Sequence, residues 1–217
     1  MLLVDTCVLL DLIRDVTRKD VQAHNLIAAA ALLTAAENGN DLTVIAADQV
    51  RTELADNQDG VEQEARRGLT RFREQTEHNN QIAAQFGAAT TIDTTHLVDH
   101  VDRTLAVLQR WTQVSITAPT GPEVCRRAMR RVVQAVAPSR KGKESAKDCL
   151  VVESYLEVAD DLRAMGFIGR IVFASSNTNE FVDGGTMTLH AQLQADFGVH
   201  AIDYAPNFGA AKHSLGL

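Results

Sequence analysis

Four polar clusters stand at the ends of apolar or helical runs, and each carries a side-chain oxygen able to hold a hard cation. Asp5-Thr6 closes the run Met1-Leu2-Leu3-Val4, and Glu53 lies in Val50-Arg51-Thr52-Glu53-Leu54. Asp148 sits at the start of a helical stretch, and Ser176-Asn177 with Glu180 follows the apolar run that ends at Ala174. Oxygen-only ligands select Mg²⁺ or Mn²⁺ over Zn²⁺. Carboxylates crowded together repel one another unless a divalent cation neutralises them. A cation held by carboxylates, with positions left for water, suits hydrolysis of a phosphodiester. Each group also has a plainer use: Asp148 favours a helix N-terminus, and the hydroxyls of Thr6 and Ser176 can cap helices. Their joint placement at element ends is what singles them out.

The elements that must position these groups alternate between strand and helix. Residues 2–5, 42–46, 169–174 and 199–204 read as strands, the first three apolar enough to be buried on both faces. Helices are predicted over 7–14, 19–38, 49–55 with Asp48 as cap, 122–136, 146–165 and 189–197. Asn38-Gly39-Asn40-Asp41, Ala118-Pro119-Thr120-Gly121-Pro122, Pro138 to Lys143 and Asp183-Gly184-Gly185 read as turns or loops. Such alternation predicts an α/β fold with a mostly parallel central sheet between helical layers. A doubly wound sheet gathers strand-end residues at one edge. Residues 58–115 differ: they are polar and helix-favouring, with two helices predicted over 61–86 and 95–113. Their apolar content is too thin for a core of their own, so the expectation is one domain, 1–217, with a helical insertion at about 58–115.

The composition excludes several classes. The formal charge is −7, so the chain is not basic throughout, and only 5% of residues are aromatic, too few for an aromatic base-stacking platform. Cys7, Cys125 and Cys149 are odd in number and widely spaced, which reads as free thiols in a reducing compartment. The N-terminal apolar run is interrupted by Asp5, Asp11 and Arg14 without a basic lead, unlike a signal peptide. No apolar stretch approaches the roughly 18 residues of a membrane span. A cytoplasmic protein without a membrane partner is the expectation.

Four blocks give the chain a resemblance to the PIN domain family of metal-dependent ribonucleases. They are Leu3-Val4-Asp5-Thr6-Cys7-Val8-Leu9, Val50 to Leu54, Lys147-Asp148-Cys149-Leu150-Val151-Val152-Glu153, and Phe173-Ala174-Ser175-Ser176-Asn177-Thr178-Asn179-Glu180-Phe181. Leu189 to Phe197 also resembles the segment that follows in larger members. The likeness covers about 1–57 and 123–204, leaving the predicted helices 61–113 outside it. It implies a three-layer α/β/α fold and a Mg²⁺- or Mn²⁺-dependent endoribonuclease. Asp5, Glu53 and Asp148 would be the acidic triad that holds the metal. Asn177 stands where members often carry a fourth acid; it matches a subgroup with Ser/Thr-x-Asn-x-x-Asp-Phe there, Glu180 taking the later acidic place. Thr6 and Ser176 would position water or phosphate, with Glu180 in the outer shell. RNA is the implied substrate, a homodimer a common state, and a toxin held down by an inhibitory protein partner one setting. A catalytically weak or inactive module of the same fold, binding RNA or protein, is the alternative that Asn177 keeps open.

Basic residues concentrate just before Asp148. Arg126, Arg127, Arg130, Arg131, Arg140, Lys141, Lys143 and Lys147 face a single acid, Glu144, along that segment. Read along the chain, this is a cationic ridge that would guide a polyanion to the acids. Other signals weigh less. His96 and His100 have an i, i+4 spacing but no third ligand, and they read as surface histidines. Cys7 follows the first acid and is expected to face the core. A phosphatase of the haloacid dehalogenase type would want a second Asp where Cys7 stands.

Overall fold

The computed structural model describes residues 1–39, 41–142, 145–184 and 188–217, so the expectations resting on Asn40, Lys143, Glu144 and Gly185 lie outside the described residues. In chain order the strands are β1 (Leu2–Val4), β2 (Val44–Ala47), β3 (Ser115–Ala118), β4 (Ile171–Ala174) and β5 (Ile202–Ala205). The helices are α1 (Thr6–Leu10), α2 (Ala23–Glu37), α3 (Asp48–Gln85), α4 (His100–Val114), α5 (Pro122–Gln134), α6 (Ala146–Ala164), α7 (Thr178–Phe181), α8 (Ala191–His200) and α9 (Phe208–Leu215).

All five strands are parallel, in the order β3-β2-β1-β4-β5. The three central strands are wholly buried, which explains their unbroken apolar sequences, while β3 and β5 at the edges are buried only at their first and last residues. On one side α2 packs with α4 and α9, where Trp111 stacks on Phe208 at 4.9 Å; on the other α6 packs with α5 and α8. This is a three-layer α/β/α arrangement. The chain winds from β1 outward to β2 and β3, then returns to β4 on the far side of β1. Loops leaving β1 and β4 therefore diverge, and the crevice between them is the topological switch point, the usual ligand site of such sheets.

Several predicted boundaries shift. The helix expected to stop at Ala55 continues as α3 to Gln85, straight through Asp59-Gly60. A helical glycine costs about 1 kcal/mol relative to alanine, too little to break a helix supported on both sides. Asp48 does not cap that helix: Ala47 holds the cap position, and the Asp48 carboxylate accepts the Thr120 backbone N–H at 2.9 Å. The sequence reading had no β3; two of its four residues are exposed, so it lacks the apolar run of a buried strand. Nor had it α7 or α9. In the 58–115 region, Ala65, Leu69 and Val101 form a small second cluster, whereas Leu108 and Trp111 join the main core. His96 lies in a 3-10 turn and His100 at the start of α4, so the two do not share a helix face.

One close approach fixes the start of this helical hairpin. Asp15 is buried, its Oδ1 accepting the Thr17 N–H at 2.9 Å and hydroxyl at 2.7 Å, and its Oδ2 would lie 1.9 Å from a Cβ on Gly68 of α3. Gly68→Ala should therefore lower the melting temperature despite the gain in helix propensity. Gly60→Ala, with no atom within 4 Å of its Cβ position, should raise stability by about 1 kcal/mol. Thermal unfolding of the two variants checks the contrast.

Candidate active site at the switch point

The register of the central strands builds the site. Val4 pairs with Ala174, so the next residues, Asp5 and Ser175, stand side by side, joined by a 3.0 Å bond from the Asp5 N–H to the Ala174 carbonyl. Ser175 Oγ donates to Asp5 Oδ2 at 2.6 Å, Cys7 Sγ donates to the same oxygen at 3.1 Å, and the Thr6 N–H donates to Oδ1 at 2.8 Å. From α3, Glu53 Oε2 accepts the Thr6 hydroxyl at 2.9 Å, and Gln49 Nε2, one turn earlier, donates to Oε1 at 3.1 Å. Thr6 thus links two acids that are 48 residues apart in sequence.

The electrostatics of Asp5 follow from this packing. Burial pushes its carboxyl above the usual range, the bonds from Ser175, Cys7 and Thr6 pull it back in part, and the Glu53 charge adds to the rise. Burial, and then the neighbouring Asp5, likewise hold the Cys7 thiol well above its ordinary value, so Cys7 is an uncharged donor and not a nucleophile. Its side chain packs against the main core, as expected, and also turns its Sγ toward Asp5.

Beneath the site Tyr155 of α6 is fully buried; its hydroxyl donates to the Val4 carbonyl and accepts the Ala47 N–H at 3.1 Å. This clamps α6 to the ends of β1 and β2. Asp148 precedes Tyr155 by seven residues, two helical turns or about 10 Å, on the same helix face and nearer the N-terminus. Asn177 is half-buried two residues beyond Ser175; its backbone precedes α7, but its side chain makes no capping bond. Glu180 is buried within α7.

The donor chemistry at Asp5, Thr6 and Glu53 fits a hard divalent cation: two carboxylates brought close, one of them buried beside neutral donors only. The arrangement extends no further. Among the described residues, no three acidic, histidine or cysteine side chains are placed to hold one ion, so Asp148 does not join Asp5 and Glu53 in a closed ligand set.

A family model described as the PIN domain matches residues 2–181. The chain belongs to the PIN domain family. Searches of curated proteins and of solved structures gave no match. PIN domains are generally nucleases that use divalent metals. The matched span of this PIN domain includes the α3–α4 hairpin, contrary to the expectation that residues 61–113 lie outside the likeness.

The basic ridge is where the PIN domain departs most from the reading of its sequence. Arg131 is buried, bonded through Nε to Glu153 and at 2.7 Å to both the Ala137 carbonyl and Asp196. Arg127 is paired with Glu153 at 2.7 Å and Glu157 at 2.6 Å, and Arg126 with Glu123. Arg131 is therefore a structural cation and not a phosphate contact, and Arg127 is committed to the same network. Counting charge along the chain missed acids that α6 and α8 bring in from elsewhere. Arg130, Lys141 and Lys147 are exposed, as is Arg140, which donates to the Asn179 carbonyl at 2.6 Å and meets His190 Nε2 at 2.7 Å.

Sequence reasoning missed three further groups. It chose Ser176, but the hydroxyl on Asp5 is that of Ser175; the Ser176 N–H instead donates to Cys7 Sγ at 3.1 Å. Pairing the ends of the first and third predicted strands in register would have found Ser175. Gln49 was signalled by its i−4 spacing from Glu53, and Tyr155 by its i+7 spacing from Asp148.

Proposed function

We propose that this PIN domain is a Mg²⁺- or Mn²⁺-dependent endoribonuclease of the cytoplasm, acting as a toxin or in RNA processing. The observation that carries the reading is the buried Asp5 carboxylate at the switch point, linked through Thr6 to Glu53. Asp5 and Glu53 would hold the cation, with Asp148 and Asn177 approaching from the starts of α6 and α7. When bound, the cation supplies charge neutralisation and Lewis-acid activation at the phosphate. The chain's own residues do the rest. Ser175, Cys7 and the Thr6 amide fix the Asp5 carboxylate in one orientation. Thr6 and Gln49 fix Glu53. Arg130, Arg140, Lys141 and Lys147, with Lys143 in the same segment, offer cations to the RNA backbone.

The second reading is a module of the same fold that binds RNA or a protein without cleaving. What favours it is Asn177 standing in place of an acid. Calorimetric titration with Mn²⁺ decides between the two. Binding lost in Asp5→Asn, together with cleavage of single-stranded RNA, is the expected result; no binding at millimolar Mn²⁺ would establish the non-cleaving module.

A further inference from the structure

A cavity of about 240 Å³ opens beside the site, on the side where the loop from β1 turns away. Ser176 forms part of its wall and hydrogen-bonds Asp11, another wall residue, so the cavity begins one residue from the hydroxyl that holds Asp5. At this size it is smaller than the roughly 300–1,000 Å³ of drug-sized ligand sites and suits a single planar ring system.

Its lining is of two kinds. Leu12, Leu26 and Phe208 present apolar surface, while Arg14 and Asn207 bring hydrogen-bond donors; the carboxylates of Asp11 and Asp20 also line the cavity but are already bonded, Asp11 to Arg14 and Ser176 and Asp20 to Arg18. Asn207 caps α9, its Oδ1 accepting the Ala210 N–H at 2.8 Å, so the amide NH₂ is the end left for another partner. Asn25 Oδ1 is buried without a hydrogen-bond partner among the described residues and would lie 2.8 Å from a Cβ on Gly209. Arg14 Nε pairs with Asp11 Oδ1 at 2.7 Å.

We propose that this cavity receives one unpaired nucleobase of the RNA, next to the phosphate at Asp5, and selects bases with carbonyl oxygens (uracil, guanine and cytosine) over adenine, which has none. Sequence-specific proteins read splayed single-stranded bases by enclosing the ring and bonding its edge. The Asn207 NH₂ and the Arg14 guanidinium are donors, and they match carbonyl acceptors. The inference deepens the ribonuclease reading and rests on it for the identity of the ligand.

The test uses neutral nucleosides, so that phosphate binding does not intervene. Calorimetry or side-chain amide NMR of the full chain should show uridine and guanosine binding at least about tenfold more tightly than adenosine. Asn207→Asp keeps the helix cap, since Asp and Asn cap equally well, but removes the donor. It should weaken uridine binding about tenfold, the worth of one hydrogen bond, without lowering the melting temperature. Gly209→Ala, whose Cβ would stand 3.2 Å from Asn207 Oδ1 and crowd that amide, should weaken uridine binding likewise. Equal affinity for adenosine and uridine, no nucleoside binding at millimolar concentration, or unchanged uridine binding in both variants would overturn the base site. If the protein cuts RNA without base preference and binds no nucleoside, the cavity proposal fails and the ribonuclease reading stands. If it binds uridine selectively yet cuts no RNA, the ribonuclease reading fails and the base site stands.

Discussion

Asp5→Asn is expected to abolish RNA cleavage, a loss of about 10²–10³-fold or more, and at the same time to raise the melting temperature. The side chains are nearly isosteric. Asn keeps an oxygen for the Thr6 N–H and turns its NH₂ toward Ser175 Oγ and Cys7 Sγ, both able to accept. What disappears is a buried negative charge beside Glu53. Because burial raises the Asp5 pKa above its unfolded value, the folded protein holds that proton more tightly than the unfolded chain. The resulting stability is fully present below the unfolded pKa, near 3.9, and is lost as pH rises through the folded pKa. At neutral pH the wild type therefore carries a penalty that the variant lacks, and the difference in melting temperature should close as pH falls toward 4. Each 1 kcal/mol recovered corresponds to about 2–4 °C for a domain of this length. Adding Mn²⁺ should stabilise the wild type and leave the variant unmoved. Thermal scans across pH with a cleavage assay test all of this, and unchanged cleavage would remove Asp5 from the site.

The sequence exposed those parts of the site that depend on local rules. Asp5 ends an apolar run, and Glu53 follows the second strand at a helical spacing; both statements need only a few neighbouring residues. Ser175 was passed over because its relation to Asp5 is one of register between strands 170 residues apart. The five-stranded order was only half legible for a similar reason: β3 is an edge strand, half exposed, and follows α4 without a breaker residue. The break expected between residues 55 and 61 is absent because local propensity alone does not register the tertiary contacts that hold α3 on either side.

The same long-range blindness produced the basic ridge, and it makes the second prediction. Glu153 is buried between two arginines, Oε2 on Arg127 Nε at 2.7 Å and Oε1 on Arg131 Nε. Burial pulls the Arg131 guanidinium toward its neutral form, but Glu153 and Asp196 outweigh that and hold it charged. Glu153→Ala leaves that buried cation with the half-exposed Asp196 as its sole carboxylate partner among the described residues. Breaking a buried pair in this way costs about 3–5 kcal/mol, or roughly 10 °C in melting temperature. Replacing both partners together, Glu153→Leu with Arg131→Met, should recover most of the loss, since the expense lies in the uncompensated charge and not in the missing contact. Arg130, one residue earlier on α5 and exposed, separates structure from RNA contact. Arg130→Ala should leave the melting temperature unchanged and reduce the salt dependence of RNA binding by about one phosphate contact. An Arg131→Ala variant that stays folded but loses only RNA affinity would return that residue to the nucleic-acid surface.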